Sequence, residues 1–230
     1  MSIVGFIIRF YQQPVEAAQQ ALAEVLQAAL KNNKRVLWLV PGGSNIPVSV
    51  AVMNQLDSAN TDKLAIMLTD ERFGAVGHKD SNLRQLAEAG FDGKKASVVP
   101  VLHEGLDLQQ TANLYANAAH TAFASATAII GQFGMGADGH IAGIKPGSPA
   151  ARAEQDWAVG YEWDDFTRLS LTAPAIVQIK IVFVLAYGQA KNQALNNLKS
   201  KKLSVIEQPA QILKKLKNVN IYNDQLGAKK

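Results

Sequence analysis

The sequence predicts an open α/β fold, a mostly parallel sheet with helices on both faces. Three observations carry that expectation. Four mainly apolar runs, Val36–Val40, Leu64–Leu68, Ala128–Phe133 and Ile179–Leu185, have the pattern of strands buried on both faces. Segments of helical spacing lie between them. The 230 residues contain no linker, long polar tract or internal repeat, so one domain over 1–230 is expected.

The elements follow in order. Val15, Ala18, Leu22, Val25, Leu26 and Ala29 recur at helical spacing. Pro14 precedes them, where its missing N–H costs nothing. Lys31–Lys34 ends that helix, and Val36–Val40 is taken as the first strand. Further helices are expected at about Ile46–Leu56, Leu108–Phe123 and Gln189–Leu198. Another runs from near Pro209 to near Leu216, before a short strand at Val219–Tyr222. Lys199–Lys202 and Lys214–Lys217 read as solvated helix ends, and Lys229–Lys230 as a frayed tail.

Composition narrows the chemistry. With no cysteine, disulfides, thiolate metal sites and cysteine nucleophiles are excluded together. The chain is 48% hydrophobic and 18% charged, the balance of a folded globular protein, and long enough to bury roughly 70% of its unfolded surface. No apolar run reaches the ~18 residues of a membrane span, and Arg9 interrupts Met1–Phe10 where a signal sequence needs an apolar core. A cytoplasmic protein without a membrane partner is expected, as a monomer or small homo-oligomer. The net charge of +4 suits an anionic small molecule at least as well as nucleic acid, and no nucleic-acid partner is expected.

In such a sheet, ligands bind beyond the carboxyl ends of the strands. The informative residues should therefore follow the apolar runs, and they do. Pro41-Gly42-Gly43-Ser44-Asn45 follows the first run and leads into a helix. Its glycines and helix N-terminus suit a phosphate, or else a tight turn capped by serine. The Gly-Lys-Ser/Thr ending of a Walker A loop is absent. Thr69-Asp70-Glu71-Arg72-Phe73 follows the second run, with Asp80-Ser81-Asn82 close behind. Asp70 could bind sugar hydroxyls or move a proton, and Arg72 could clamp an anion; equally, the two could pair to hold the loop.

The third run leads into Gly134-Met135-Gly136-Ala137-Asp138-Gly139-His140-Ile141-Ala142 and Pro146-Gly147-Ser148. Gly134, Gly136 and Gly139 match G-x-G-x-x-G, but Pro146-Gly147 interrupts the helix a dinucleotide site needs. His140, two residues after Asp138, is a candidate base because imidazole exchanges a proton near neutral pH; a helix-capping role is the alternative. His78, His103 and His120 read as structural or solvated, since His103-Glu104 lacks the second histidine of a metal motif. A fourth group gathers Arg168, in Thr167–Thr172, with Lys191 after the fourth run. A cation near a helix start is disfavoured unless an anion sits there, although a surface lysine is equally consistent.

Together these loops resemble the 6-phosphogluconolactonase family. Its stretches look like S-G-G-S-T-P, D-E-R followed by D-S-N, and G-M-G-x-D-G-H-T-A-S-L-F-P-G. Their counterparts here are Pro41–Pro47, Asp70-Glu71-Arg72 with Asp80-Ser81-Asn82, and Gly134–Gly147. Arg168–Thr172, the Lys191 region and Ile221-Tyr222-Asn223-Asp224, similar to the usual W-x-x-D, also have counterparts. The chain departs from the pattern at Asn45-Ile46, at Ala137 and at Gly143-Ile144-Lys145, which stands in place of S-L-F.

The resemblance implies a sugar-phosphate isomerase-like, modified Rossmann-type sheet. It also implies hydrolysis of 6-phospho-D-glucono-1,5-lactone to 6-phosphogluconate in the oxidative pentose phosphate pathway, without metal or other cofactor. His140, Asp138 and Asp70 would then be the catalytic group. Gly42, Gly43, Ser44, Arg72, Arg168 and Lys191 would bind the phosphorylated sugar lactone, and amides of the glycine-rich loop would stabilise the oxyanion. The related glucosamine-6-phosphate isomerase/deaminases share the Asp-Gly-His loop, and Ile141-Ala142 is similar to theirs. They read D-E-Y at Asp70–Arg72, however, and carry a glutamate aligned with Lys145. A non-catalytic sugar-phosphate sensor is the third reading. It usually needs a separate helix-turn-helix segment, and the 35 residues before Val36 offer one convincing helix.

Overall fold

The computed structural model describes residues 7–227. In chain order the first elements are β1 (Ile7–Gln12), α1 (Val15–Lys31), β2 (Val36–Val40), α2 (Ile46–Gln55), β3 (Leu64–Leu68) and β4 (Asp70–Arg72). Next come α3 (Asn82–Glu88), β5 (Ser97–Val99), α4 (Leu108–Ser125), β6 (Ala128–Gly134) and α5 (Pro149–Arg152). The chain continues with β7 (Ala158–Tyr161), β8 (Arg168–Leu171), α6 (Ala173–Ile176), β9 (Ile181–Ala186), α7 (Asn192–Ser200) and β10 (Asn218–Asn223).

Seven strands form a parallel sheet in the order β1-β10-β9-β6-β2-β3-β5. From β2 the chain steps outward through β3 to β5. It then returns to the other side of β2 and steps the opposite way through β6, β9 and β10. Right-handed crossovers in opposite directions put helices on opposite faces, and the order reverses between β2 and β6. All five residues of β2 are buried, and Trp38 and Phe133 are among the largest fully buried side chains. On α1, Ala18, Leu22 and Leu26 of the predicted stripe are buried, joined by Ala23 and Leu30, while Val15, Val25 and Ala29 are partly buried.

A second, antiparallel sheet, β4-β8-β7, was not legible in the sequence. Asp70–Arg72 reads as a loop because Asp and Glu are poor strand formers, and Arg168–Leu171 is too short a run to stand out within Thr167–Thr172. Their pairing, Asp70 with Ser170 and Arg72 with Arg168, joins residues nearly a hundred positions apart. Three other expectations are corrected. Val36–Val40 is the second strand, not the first: β1 precedes it as an edge strand whose Ile7 is 45% exposed and whose Arg9 and Gln12 break the apolar pattern. Pro209–Lys215 winds as a 3-10 helix rather than an α-helix, as does the turn Gln189–Lys191 that opens α7. Lys199, Lys201 and Lys202 are solvated, whereas Lys214 is half-buried and donates to the Lys201 carbonyl. Met1–Phe6 and the predicted tail Lys229–Lys230 lie outside the described residues.

Glu71 ties the small sheet to the start of α3. Its side chain is almost fully buried, and Oε1 accepts from the backbone N–H groups of Asn82 at 2.6 Å and Arg72 at 2.7 Å. Oε2 accepts from the Ser81 hydroxyl at 2.9 Å and the Leu83 N–H at 3.1 Å. Burial pushes the carboxyl above its ordinary range, with those four donors pulling against it. Replacing Glu71 by alanine orphans three backbone donors at once. E71A should therefore lose about 3 kcal/mol of unfolding free energy in urea titrations, and a loss under about 1 kcal/mol would refute the staple.

Candidate active site

The reversal between β2 and β6 sets the two loops that follow those strands side by side. After β2, Gly42 is extended, Gly43 takes φ +63, and Gly43–Asn45 makes one 3-10 turn into α2. Amides at the start of a helix lack partners within it, so Gly43 and Ser44 are positioned as donors. Gly42 is required for space: a Cβ there would come within 1.9 Å of Asn82 Oδ1. Asn82 is fully buried and its amide donates to the Asp70 carbonyl at 2.8 Å, which locks the first loop to the second.

After β6 the chain folds on itself. The Gly136 N–H donates to the His140 carbonyl at 2.9 Å, and the Gly139 N–H to the Gly136 carbonyl at 3.0 Å. Gly143 N–H donates to Ser170 Oγ at 3.1 Å, while the Tyr161 hydroxyl donates to the Gly143 carbonyl. The small sheet thus buttresses the His140 loop from behind. Ala142 is held at φ +49, a left-handed conformation costly for a residue other than glycine. Because Gly136, Gly139, His140 and Gly143 spend their N–H groups inside this fold, those amides are committed before any substrate arrives.

His140 Nδ1 lies 2.6 Å from Asp138 Oδ1, and the His140 backbone N–H reaches the same oxygen at 3.1 Å. An ionised carboxylate only accepts, so Nδ1 carries the proton and Nε2 presents a lone pair. Asp138 Oδ2 accepts from Lys145 Nζ at 3.1 Å. Burial alone would raise Asp138, but the His140 and Lys145 donors hold it well below the usual carboxylate range.

One cavity of about 250 Å³ is lined by Gly42, Gly43, Ser44, Asp70, Arg72, His140, Lys145, Arg168 and Lys191, among others. Every site residue expected from the sequence except Asp138 lines it; Asp138 reaches it through His140 and Lys145. Asp70 is buried, its Oδ1 accepting from the Thr69 hydroxyl at 2.9 Å. Arg72 donates to the Asp80 carbonyl at 2.9 Å, and its Nε is buried without a partner among the described residues. Asp70 and Arg72 make no ion pair, since their side chains bond elsewhere. Arg168, 6% exposed, is engaged by Asp165 at 2.6 Å. Both guanidinium groups pack on the Phe166 ring, at 4.9 Å for Arg72 and 5.6 Å for Arg168. Lys191 precedes α7, and burial holds its amine below the ordinary lysine range.

The sequence missed Lys145 as a direct partner of Asp138, as well as Asp165 and Phe166. Only Lys145 left a signal, as a departure from the family pattern. Of the other histidines, His78 Nε2 bonds the Arg72 carbonyl at 2.9 Å and His120 stacks on Trp157 at 3.8 Å. Among the described residues no group of three or more His, Asp or Glu is arranged to hold a metal ion.

The family model for glucosamine-6-phosphate isomerases and 6-phosphogluconolactonase matches residues 11–221. A 6-phosphogluconolactonase of Caulobacter vibrioides is 28% identical over 193 residues, covering 79% of this chain and 81% of its own. The crystal structure of a 6-phosphogluconolactonase from Shewanella baltica superposes with a TM-score of 0.78 at 19% identity, covering 94% of this chain and 97% of that one. A monomeric glucosamine-6-phosphate deaminase superposes equally well, at 0.78 and 16% identity, over 94% of this chain and 97% of its own. The backbone therefore does not separate the two activities, and the side chains must.

A Cβ at Gly136 would stand 2.1 Å from His140 Nδ1 and 2.4 Å from Asp138 Oδ1. G136A should break that hydrogen bond, detected as loss of the low-field Nδ1 proton resonance, with a stability cost of about 1–3 kcal/mol. A retained resonance would show that the loop yields without disturbing the pair.

Proposed function

The chain belongs to the glucosamine-6-phosphate isomerase/6-phosphogluconolactonase family, and from that premise we propose that it hydrolyses 6-phospho-D-glucono-1,5-lactone to 6-phospho-D-gluconate. The observation that carries the reading is the set of partners around His140. Its imidazole is oriented by Asp138 and opens on a cavity that also holds the Gly42–Ser44 loop, Arg168 and Lys191. Where a deaminase carries a glutamate, this chain places Lys145, whose ammonium is bonded to Asp138. A lysine cannot supply a carboxylate for ring opening of an amino sugar.

A lactone is an activated ester, so a positioned base and an oxyanion site suffice, with no metal required of the protein. His140 Nε2 takes a proton from water as its oxygen attacks C1, and the carbonyl electrons move onto oxygen. Collapse of the tetrahedral intermediate breaks the bond from C1 to the ring oxygen, which receives the proton back from His140. The product acid then ionises. Asp138 fixes the tautomer and supports the transient imidazolium. The loop amides first expected as oxyanion donors are largely committed, so we assign the oxyanion to side-chain donors that line the cavity, Arg72 foremost. Asp70 orients sugar hydroxyls. The phosphate lies against the Gly42–Ser44 loop with Lys191 and Arg168; charge-assisted bonds of this kind contribute about 1.5–3 kcal/mol each.

A coupled assay tests the reaction, with glucose-6-phosphate dehydrogenase generating the lactone and 6-phosphogluconate dehydrogenase reporting its hydrolysis. Turnover should exceed the spontaneous rate and fall about 10²–10⁴-fold in H140A. No acceleration, or ammonia release from glucosamine-6-phosphate, would overturn the proposal.

Lys191 gives a second prediction with a definite sign. Because its amine is held below the ordinary lysine range, it loses its charge at a lower pH than a free lysine. Calorimetric affinity for 6-phosphogluconate should weaken as pH rises from neutral toward that range, and K191M should bind weakly and without that alkaline dependence. Wild-type affinity in K191M would remove Lys191 from the phosphate site.

A further inference from the structure

Lys145 is the cation of the His140 loop that the hydrolytic scheme leaves without a task. It is well placed to have one. Its side chain is 16% exposed, lines the same cavity, and donates to Asp138 Oδ2 at 3.1 Å. Its backbone N–H is fixed by the Tyr161 hydroxyl of β7 at 3.3 Å. Nζ also stands 3.4 Å from His140 Nδ1. With Nδ1 protonated toward Asp138, both nitrogens are donors, so this close approach is not a hydrogen bond. It is two donors drawn together by one shared acceptor.

That arrangement has an electrostatic consequence. Asp138 alone, 2.6 Å from Nδ1, favours the imidazolium and so works against a base that must be neutral to accept a proton. A unit positive charge 3.4 Å from the same nitrogen opposes that protonation. The other charged groups lining the cavity with His140 are Asp70 and Arg72 from β4, Arg168 from β8 with Asp165 just before it, and Lys191 ahead of α7. Arg168 is largely offset by Asp165, and among the described residues none of these is hydrogen-bonded to the imidazole. Lys145 is thus the cation nearest to Nδ1 within the Asp138 hydrogen-bond network.

We propose that Lys145 is a positioning residue that holds the Asp138 carboxylate in place and offsets its charge, so that His140 stays neutral, with Nε2 free to accept a proton, at lower pH than the Asp138–His140 pair alone would allow. Its link to catalysis rests on the lactonase reading, but its electrostatic effect on His140 does not. That effect is specific to the Gly143-Ile144-Lys145 sequence, where the family pattern has an aromatic residue.

The test pairs two readouts. The His140 imidazole is titrated by NMR in the wild type, K145M, K145Q and K145R, with H140A identifying the resonance. In parallel, the pH profile of kcat/KM for lactone hydrolysis is recorded. Both K145M and K145Q should raise the imidazole midpoint, and the acid limb of the rate profile with it, by about one pH unit. K145R, which keeps the charge, should leave the midpoint near that of the wild type. An unchanged midpoint in folded K145M or K145Q overturns the proposal, as does a shift of equal size in K145R. If the wild type fails to accelerate hydrolysis, the lactonase reading falls while the NMR titration still decides the role of Lys145.

Discussion

The site depends first on a topological constraint, the reversal of strand order between β2 and β6. Two neighbouring parallel strands whose chains depart in opposite directions cannot both cover the gap between their carboxyl ends. The Gly42–Ser44 loop after β2 and the Gly134–Gly147 loop after β6 therefore face each other across a cavity, and everything else is arranged around it. The small antiparallel sheet serves that arrangement. Its β4 carries Asp70 and Arg72 to the cavity, β8 carries Arg168, and Tyr161 and Ser170 brace the loop that holds His140.

The second organising feature is charge held in pairs. The cavity gathers four cations, Arg72, Lys145, Arg168 and Lys191, in a space of about 250 Å³. Such a cluster would repel itself without the carboxylates set among it. Asp165 engages Arg168, and Asp138 bridges Lys145 and His140. Among the described residues neither Arg72 nor Lys191 has a carboxylate in hydrogen-bond contact, and the lowered basicity of Lys191 reflects burial near Lys145, partly relieved by Asp138. An anion entering the cavity would meet these two uncompensated cations. Positive charge poised in this way favours anionic ligands over neutral sugars.

Most of this was legible in the sequence because it rests on short-range patterns. Val36–Val40 and Leu64–Leu68 are continuous apolar runs and form strands with those limits. The glycine-rich stretches sit where strands end, which marks a ligand-binding edge before any coordinates are known. What stayed hidden depends on distant pairing. Asp70–Arg72 reads as a charged loop until Arg168–Leu171 supplies its partner strand. Arg168 reads as a free cation until Asp165 and Phe166 fold over it. The Lys145 departure was visible, but its meaning required the 3.1 Å contact with Asp138, since a lysine in a sequence does not declare which way it points.

The most direct measurement of the central claim is a crystal structure with 6-phosphogluconate bound, the product that retains both ends of the substrate. The account predicts the phosphate against the Gly42–Ser44 loop and Lys191, with the C1 carboxylate within hydrogen-bond distance of His140 Nε2. A ligand bound in the reverse sense, or lodged away from His140 in the neighbouring cavity of about 790 Å³ between Pro14, Val48 and Tyr187, would contradict it.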